Sequence, residues 1–286
     1  MTKSNQNELK YEIYRTYDPN ATTKIDLRKY LENQLLFSDS MFKYVKEKHN
    51  EQFEEFLNGV LKYLREDIAD YQTDQNILNP ELLKRNCPFL KDYTDLTHGI
   101  LTIITKYLDI PANTNLDVEQ IELLLFNLLR AKHMIVYYEL KTLIDIFGRE
   151  QGIQVYKDFI LAYAIELGKK QKSTQLTREA RENTVKYWKE SGGFDFAVYD
   201  YDPEKYLVKF TRCVWHESMK DMDDPELCNY VVCYPGRVFT KYTNKYVVKK
   251  VTKTLFEREF CDELYYNCEV HKDPEPPTEE LIKRLI

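Results

Sequence analysis

The hydrophobic period of this chain changes from about 3.6 to 2 at Ser191-Gly192-Gly193, and that change limits the folds it can adopt. Before these residues, apolar side chains recur three or four residues apart, which is the spacing of amphipathic helices. After them, Phe194, Phe196 and Val198 alternate with polar or small residues, which is typical of a half-buried strand. The sequence therefore predicts a helical first part and a sheet-containing second part.

Apolar stripes predict the helices of the first part. We expect helices near residues 26–35, 41–45, 53–64, 96–108, 118–147, 151–168 and 177–189. Ser38 or Asp39 is a cap candidate between the first two stripes. Asn79-Pro80 and Cys87-Pro88 interrupt the helical pattern, so we predict irregular structure over residues 71–95.

The alternating pattern of the second part predicts a small antiparallel sheet. Residues 194–199 and 206–212 are expected to form a hairpin, and residues 245–252 and 263–270 supply two more strands. Short helices are predicted at 214–220 and 225–232. The predicted fold class is α+β, with an all-helical N-terminal half followed by a compact unit that has a roughly four-stranded antiparallel sheet covered by helices.

These patterns divide the chain into four parts. Residues 1–25 are interpreted as a polar tail and residues 26–115 as a helical N-terminal domain or extension. Residues 116–271 carry the remaining helices and the sheet. Residues 272–286 are interpreted as a second tail, with a last helical turn after Pro277.

Charge and apolar content exclude several classes of function. The formal net charge is −6 and no long basic stripe occurs, so we expect no nucleic-acid partner. Lys249, Lys250 and Lys253 form a short basic group that strand alternation would split between two faces, and we interpret it as a solvated surface. The longest apolar run, at 121–129, is too short to cross a bilayer, and no secretory signal is recognisable. We therefore expect a cytoplasmic protein with reduced cysteines and no membrane partner.

Three of the six cysteines fall at the ends of predicted elements. Cys213 ends a strand, Cys233 ends a helix, and Cys261 directly precedes the last strand. Such ends can converge on one edge of a small sheet. Their polar neighbours there would be Asp262, His216 and Arg212. A neighbouring His or Arg lowers the pKa of a thiol and favours the reactive thiolate. The alternative is plain packing, because free cysteines are among the most buried residue types.

Structural zinc is a further alternative for these thiols. The ligands would be Cys213, Cys228, Cys233 and Cys261. The spacing from Cys228 to Cys233 is not the usual tight hook, and no second close Cys or His pair supports it. We therefore predict no metal site.

An ordered set of residues in this segment resembles a known family. The set is Arg212, Cys213, Trp215, Asp224 to Leu227, Cys233, Thr252 to Leu255, Glu257, Cys261 and Asp262. In this order it resembles the L-2-amino-thiazoline-4-carboxylic acid hydrolase family, over roughly residues 130–270. Two positions depart from the family pattern. Gly236 stands where members tend to carry Asp, and Arg258 stands where they tend to carry Gly.

The resemblance implies a hydrolase that opens a cyclic amidine, a thiazoline ring carrying a carboxylate, to a carbamoyl derivative of cysteine. It implies that Cys213 or Cys261 attacks or polarises the amidine carbon and that Asp262 shuttles the proton. It further implies that Arg212 pairs with the carboxylate of this small-molecule substrate. The other substrate-binding candidates are Trp215, His216, Cys233 and Glu257. This chemistry needs no metal and no organic cofactor.

Two other functions stay open at this point. A non-catalytic small-molecule-binding, sensor or interaction module would use the same pocket with inert thiols. The cysteine-ended sheet is also similar, at the level of the fold, to ligand-binding domains related to the vinyl-reductase and vesicle-tethering folds. A scaffold protein would instead bind a protein partner, or a second copy of the chain, through the N-terminal helices of residues 26–108.

Overall fold

The computed structural model describes residues 11–71, 87–110 and 120–285. Its helices are α1 (Leu27–Lys48), α2 (Phe53–Ile68), α3 (Thr94–Leu108), α4 (Leu125–Phe147), α5 (Arg149–Lys170), α6 (Thr177–Ser191), α7 (Val214–Glu217), α8 (Pro225–Val232), α9 (Tyr234–Thr243) and α10 (Glu279–Arg284). Its strands are β1 (Tyr11–Arg15), β2 (Thr22–Ile25), β3 (Ile121–Leu124), β4 (Phe194–Asp202), β5 (Lys205–Cys213), β6 (Val247–Val251) and β7 (Cys261–Asn267). The part of the predicted tail before residue 11 and the interruption at Asn79-Pro80 lie outside the described residues.

The α+β fold class is confirmed, and the main sheet has five strands in the order β1-β4-β5-β7-β6. Every neighbouring pair is antiparallel, and β4 and β5 form the predicted hairpin. The additional strand is β1, which lies in the segment interpreted as a polar tail. It is held there by Tyr14, whose ring stacks on Phe196 with 4.8 Å between centroids, and by the Thr16 hydroxyl, which donates to the Phe194 carbonyl at 2.7 Å.

The first helix is continuous where the sequence predicted two stripes separated by a cap. Asp26 begins α1 by accepting a hydrogen bond from Lys29 N at 2.8 Å, and the helix runs through Ser38 and Asp39. The buried Asp39 carboxylate accepts hydrogen bonds from the Phe89 and Leu90 amides at 2.9 and 2.7 Å. The predicted break was wrong because Asp39 caps a neighbouring 3₁₀ turn and not its own helix.

The long central helix begins later than predicted. The sequence indicated a helix from residue 118, but Ile121–Leu124 forms β3, which pairs with β2 in a separate two-stranded sheet. The Leu125 amide then donates to the Ala21 carbonyl at 2.8 Å at the start of α4. Short apolar runs satisfy helix and strand patterns equally, so the distant partner strand decides the conformation here.

One hydrophobic core joins the N-terminal helices to the later ones. Most of its buried members come from α1 to α5, with α8 added from the second half. Representative members are Leu31, Phe42, Phe56, Leu101, Leu140 and Tyr156. The helices predicted as an N-terminal domain or extension therefore pack directly against α4 and α5. Within the described residues, no helix is both long and apolar enough to cross a bilayer.

The main sheet is covered on both faces, and this positions the site. On one face the Trp188 ring of α6 lies 4.8 Å from the Phe210 ring, in an edge-to-face contact. On the other face, Ile282 and Leu285 pack with Leu207 in a separate small cluster. The predicted C-terminal helical turn is confirmed as α10, and the segment interpreted as a tail packs on the sheet.

The helical core contains the carboxyl group of Glu139. Its side chain is fully buried on α4, and burial raises the pKa of its carboxyl to about 8. The Ser38 hydroxyl lies near enough to lower that pKa, which opposes the effect of burial, yet neither carboxyl oxygen has a hydrogen bond of good geometry among the described residues. The carboxyl is therefore protonated at neutral pH in the folded protein, because its charged form has no compensating partner.

We predict that Glu139→Gln is more stable than the wild type and that this difference in the free energy of unfolding grows as the pH rises from about 5 to 8. The pKa is about 8 in the folded protein against an ordinary 4.5, so in this window the unfolded chain loses a proton that the folded protein keeps. The free energy of unfolding of the wild type should fall by about 1.4 kcal/mol per pH unit relative to the variant. Urea unfolding at several pH values measures this difference.

The control for this experiment is Glu150→Gln, at an exposed position of α5. It should not reproduce the pH-dependent gain. Identical pH dependence in the wild type and in Glu139→Gln would contradict the buried, protonated state of Glu139.

Candidate functional site

A cavity of about 440 Å³ lies against the face of the sheet that α6 covers. Side chains from α6, β5, β6, β7 and α9 form its wall. Its opening includes Tyr187, which is 51% exposed, and Ser173 before α6. Pockets of roughly 300–1,000 Å³ are typical of small-molecule sites. The size and position of this cavity therefore make it the candidate functional site.

The structure brings Cys213, Cys233 and Cys261 together in the wall of this cavity. Cys213 is the last residue of β5, Cys233 lies between α8 and α9, and Cys261 is the first residue of β7. The thiols are close enough that ionisation of one affects the pKa of the others. Cys213 and Cys233 are only half-buried, and both border the cavity. The predicted gathering of element ends is therefore present in the fold.

All three thiols are shifted toward the protonated form. Burial raises the pKa of Cys213 to about 12, and it also raises the pKa values of Cys233 and Cys261. The negative charge of Glu263 raises all three further, while Lys249 opposes that effect. The sequence-based hypothesis of a low-pKa thiolate is therefore not supported by the electrostatics of the cavity.

A buried ion pair faces the thiols. Lys249 Nζ of β6 lies 2.9 Å from Glu263 Oε1 of β7, and the two side chains are only 8% and 12% exposed. The Tyr265 hydroxyl also donates to Glu263, and the Tyr265 ring stacks on Tyr206 with 4.9 Å between centroids. Glu263 and Tyr265 share the face of β7 that Cys261 occupies, because side chains alternate along a strand.

Sequence reasoning missed this ion pair. It correctly predicted that alternation separates Lys249 from Lys250, whose Nζ contacts Asp273 Oδ1 at 2.9 Å. It was wrong to interpret Lys249 as part of a solvated surface. The sequence did contain one indication that Lys249 faces the interior. Val247 lies two residues earlier on the same face of β6, and Val247 is buried and lines the cavity.

Asp262 is not brought to the thiols. It follows Cys261 on β7 and therefore points to the opposite face of the sheet, where it is fully buried. Its carboxylate pairs with Arg258 and accepts hydrogen bonds from the Thr252 and Lys253 amides, both at 3.3 Å. Asp262 thus anchors the loop between β6 and β7, and Glu263 is the carboxylate that faces the cavity.

Arg212 and Glu257 also lie outside the cavity wall. Arg212 is exposed, and its guanidinium carbon lies 3.9 Å from the centroid of the Tyr17 ring. Glu257 accepts hydrogen bonds from the Thr254 amide at 2.8 Å and from its hydroxyl at 3.0 Å, which closes a local turn. The cation that the structure places in the cavity wall is therefore Lys249 and not Arg212.

Trp215 and His216 do line the cavity, as expected of substrate-binding candidates. The Trp215 ring lies 5.9 Å from Phe194, and the His216 ring lies 4.7 Å from Phe256. Desolvation lowers the pKa of His216, although Glu217 opposes the shift. His216 is consequently a neutral imidazole at pH 7, able to donate one hydrogen bond and accept another.

The four-cysteine zinc arrangement is not formed. Cys228 lies in the helical core, where its thiol donates to the Met219 carbonyl at 3.5 Å, and it does not line the cavity. Among the described residues, no group of three or more His, Cys, Asp or Glu side chains has the arrangement of a metal site.

The two departures from the family pattern have separate structural roles. Gly236 of α9 lines the cavity, and a Cβ at this position would lie 3.1 Å from Lys249 Nζ. Arg258 lies on the other face, where it pairs with Asp262 and donates to the Phe260 carbonyl at 3.0 Å. An Asp at position 236 would place a second carboxylate beside Lys249, and its absence leaves Glu263 as the partner of this cation.

The comparisons with known proteins confirm the family resemblance. Residues 129–263 match the model of the family described as L-2-amino-thiazoline-4-carboxylic acid hydrolase. No curated protein sequence and no solved structure matches the chain. The matched segment begins in α4, ends at Glu263 and includes all three cavity cysteines as well as Lys249.

We predict that Glu263→Gln lowers the pKa values of the cavity thiols and that Lys249→Gln raises them. Removing the carboxylate charge leaves the ammonium to stabilise the thiolates, whereas removing the ammonium has the opposite effect. Titration of the ultraviolet absorbance of thiolates, with Cys213→Ser used for assignment, measures both shifts. Glu259→Gln, at an exposed position outside the cavity wall, is the control. Shifts of the same sign in the two variants would contradict the electrostatic account.

Proposed function

We propose that this chain, matched over residues 129–263 by the L-2-amino-thiazoline-4-carboxylic acid hydrolase family, hydrolyses a small cysteine-derived cyclic amidine in the cavity. The observation that carries the proposal is the buried Lys249–Glu263 pair, which shares one cavity with three thiols inside the matched segment. A carboxylate base and a cation at 2.9 Å from each other suit a substrate that carries both an amidine and a carboxylate.

The proposed reaction adds one water molecule across the amidine carbon. The water oxygen forms a bond to this carbon and loses one proton to the base, while the π electron pair of the carbon–nitrogen double bond moves to the nitrogen, which takes up that proton. The carbon–sulfur bond then breaks as the new hydroxyl loses its remaining proton, and the sulfur leaves with the bonding electron pair and takes up this proton to become a thiol. The carbon keeps the new oxygen as a carbonyl between two nitrogens, so the product is a carbamoyl derivative of cysteine.

Glu263 is the proposed general base of this reaction. Its carboxylate is fixed by Lys249 and Tyr265 and faces the cavity, where it can accept the proton of the attacking water. Asp262, to which the resemblance assigned the proton shuttle, lies on the opposite face of the sheet with Arg258. Glu263 therefore takes the role proposed for Asp262 from the sequence.

Lys249 is the proposed partner of the substrate carboxylate. An ammonium group has three hydrogens to donate, and Glu263 uses one of these positions. The role that the resemblance assigned to Arg212 passes to Lys249, because Arg212 lies at the surface beside Tyr17. Trp215 and His216 complete the wall on which the ring would lie.

The protonation state of the three thiols favours water over a cysteine side chain as the nucleophile. A thiolate is the nucleophilic form, and burial together with Glu263 holds Cys213, Cys233 and Cys261 in the neutral form. We propose that these neutral thiols border the ring sulfur without forming a covalent intermediate. The same inert thiols also favour the second candidate function, a small-molecule-binding module that does not turn its ligand over.

We predict that Glu263→Gln lowers kcat for 2-amino-thiazoline-4-carboxylate by about 10²–10⁴-fold, the usual contribution of a general base. Cys213→Ser and Cys261→Ser should each lower kcat by less than about tenfold, because a serine hydroxyl keeps a neutral polar group at the cavity wall. Measurement of kcat and of ligand affinity for each variant separates chemistry from binding.

Glu259→Gln is the control variant for this experiment, since its exposed side chain lies outside the cavity wall. Loss of turnover in Cys213→Ser or Cys261→Ser, with activity kept in Glu263→Gln, would overturn water attack and identify a cysteine nucleophile. Saturable binding to the wild type without any product would establish the non-catalytic alternative.

A further inference from the structure

The cavity is larger than a thiazoline carboxylate requires. That molecule has about nine non-hydrogen atoms, which would fill roughly 270 Å³ even at the ~30 Å³ that a water molecule occupies in the liquid. Covalently bonded atoms need less space than separate waters, so this figure is an upper limit. The cavity measures about 440 Å³. A substantial part of it is therefore left for another chemical group.

Much of the cavity wall is formed by aromatic rings. Trp188 is in edge-to-face contact with Phe210 at 4.8 Å, and Phe194 contacts Trp215 at 5.9 Å between centroids. All four rings border the cavity, and Phe239 borders it as well. Contact with these rings contributes little to the binding of a polar group. Burial of an apolar group against them makes the binding free energy more favourable.

Charge in the wall is confined to one place. Lys249 and Glu263 are the lysine and carboxylate side chains that line the cavity within the described part of the chain, and His216 there is neutral at pH 7. Beside Lys249 Nζ, Gly236 leaves room for ligand atoms, because a Cβ built there would meet only this lysine within 4 Å. An anionic group can thus approach the ammonium from the side of α9.

We infer that the ligand of this cavity is an amphipathic carboxylate, with its carboxylate on Lys249 at the side left open by Gly236 and a bulky apolar group, such as an aromatic ring, against the Trp188–Phe210 wall. The carboxylate end of this inference rests on the proposed function. The apolar end goes beyond it, because it assigns to the site a substituted relative of the thiazoline carboxylate.

The two tryptophans of the chain provide the readout, because both Trp188 and Trp215 line the cavity. The probes are 3-phenylpropionate, propionate and 3-phenylpropionamide, which separate the apolar group from the charge. Titration of tryptophan fluorescence should show that 3-phenylpropionate binds at least tenfold more tightly than either of the other two. Equal affinity for propionate and 3-phenylpropionate would overturn the apolar part, and equal affinity for the amide would overturn the carboxylate part.

A matched pair of variants tests the position of the carboxylate. Gly236→Asp places an anion beside Lys249, whereas Gly236→Asn fills nearly the same volume without charge. The affinity for 3-phenylpropionate should fall at least tenfold further in Gly236→Asp than in Gly236→Asn. Equal affinities in the two variants would overturn the assignment of the carboxylate to this side of Lys249.

Turnover distinguishes failure of this inference from failure of the proposed function. Hydrolysis of 2-amino-thiazoline-4-carboxylate without detectable binding of 3-phenylpropionate would overturn the inference and leave the hydrolase proposal in place. Binding of 3-phenylpropionate without hydrolysis of that thiazoline, or of its derivative with a phenyl substituent on the ring, would support the amphipathic ligand and overturn the hydrolase proposal alone.

Discussion

The buried ion pair of Lys249 and Glu263 is the interaction on which the candidate site depends. Two charges that are about nine-tenths removed from solvent stabilise each other only as a pair, and removal of one partner of such a pair costs about 3–5 kcal/mol. The pair also joins the edge strand β6 to β7 and sets the electrostatics of the cavity. Glu263 raises the pKa values of the three thiols, and Lys249 offers the cavity a cation.

The two departures from the family pattern act on this pair from opposite sides of the sheet. Asp262 of β7 points away from the cavity, and Arg258 pairs with its carboxylate on that opposite face. Gly236 removes a side chain next to Lys249, which leaves Glu263 as the carboxylate at the cation. Within the described part of the chain, the cavity wall thus carries the Glu263 carboxylate, the Lys249 ammonium and several aromatic rings. This composition suits the proposed thiazoline carboxylate and leaves space for an apolar substituent on it.

The sequence predicted the parts of the fold that depend on local pattern. The change of period at Gly192-Gly193 located the β4–β5 hairpin, and the element ends located Cys213, Cys233 and Cys261 in one wall. What it missed depends on partners far along the chain: β1 and β3 pair with distant strands. Strand alternation could have separated Asp262 from Glu263, but the sequence does not say which face of β7 borders a cavity. That choice is made by α6, whose aromatic side chains pack on only one face.

A crystal structure of the Glu263→Gln protein soaked with 2-amino-thiazoline-4-carboxylate would show directly which side chains hold the ring. The substitution slows the proposed chemistry and keeps the shape of the cavity, so the intact ring should be trapped. We expect the carboxylate in contact with Lys249 Nζ and the amidine carbon facing the side chain at position 263. A ring bound at the surface beside Arg212 and Tyr17, or joined covalently to Cys213 or Cys261, would contradict it.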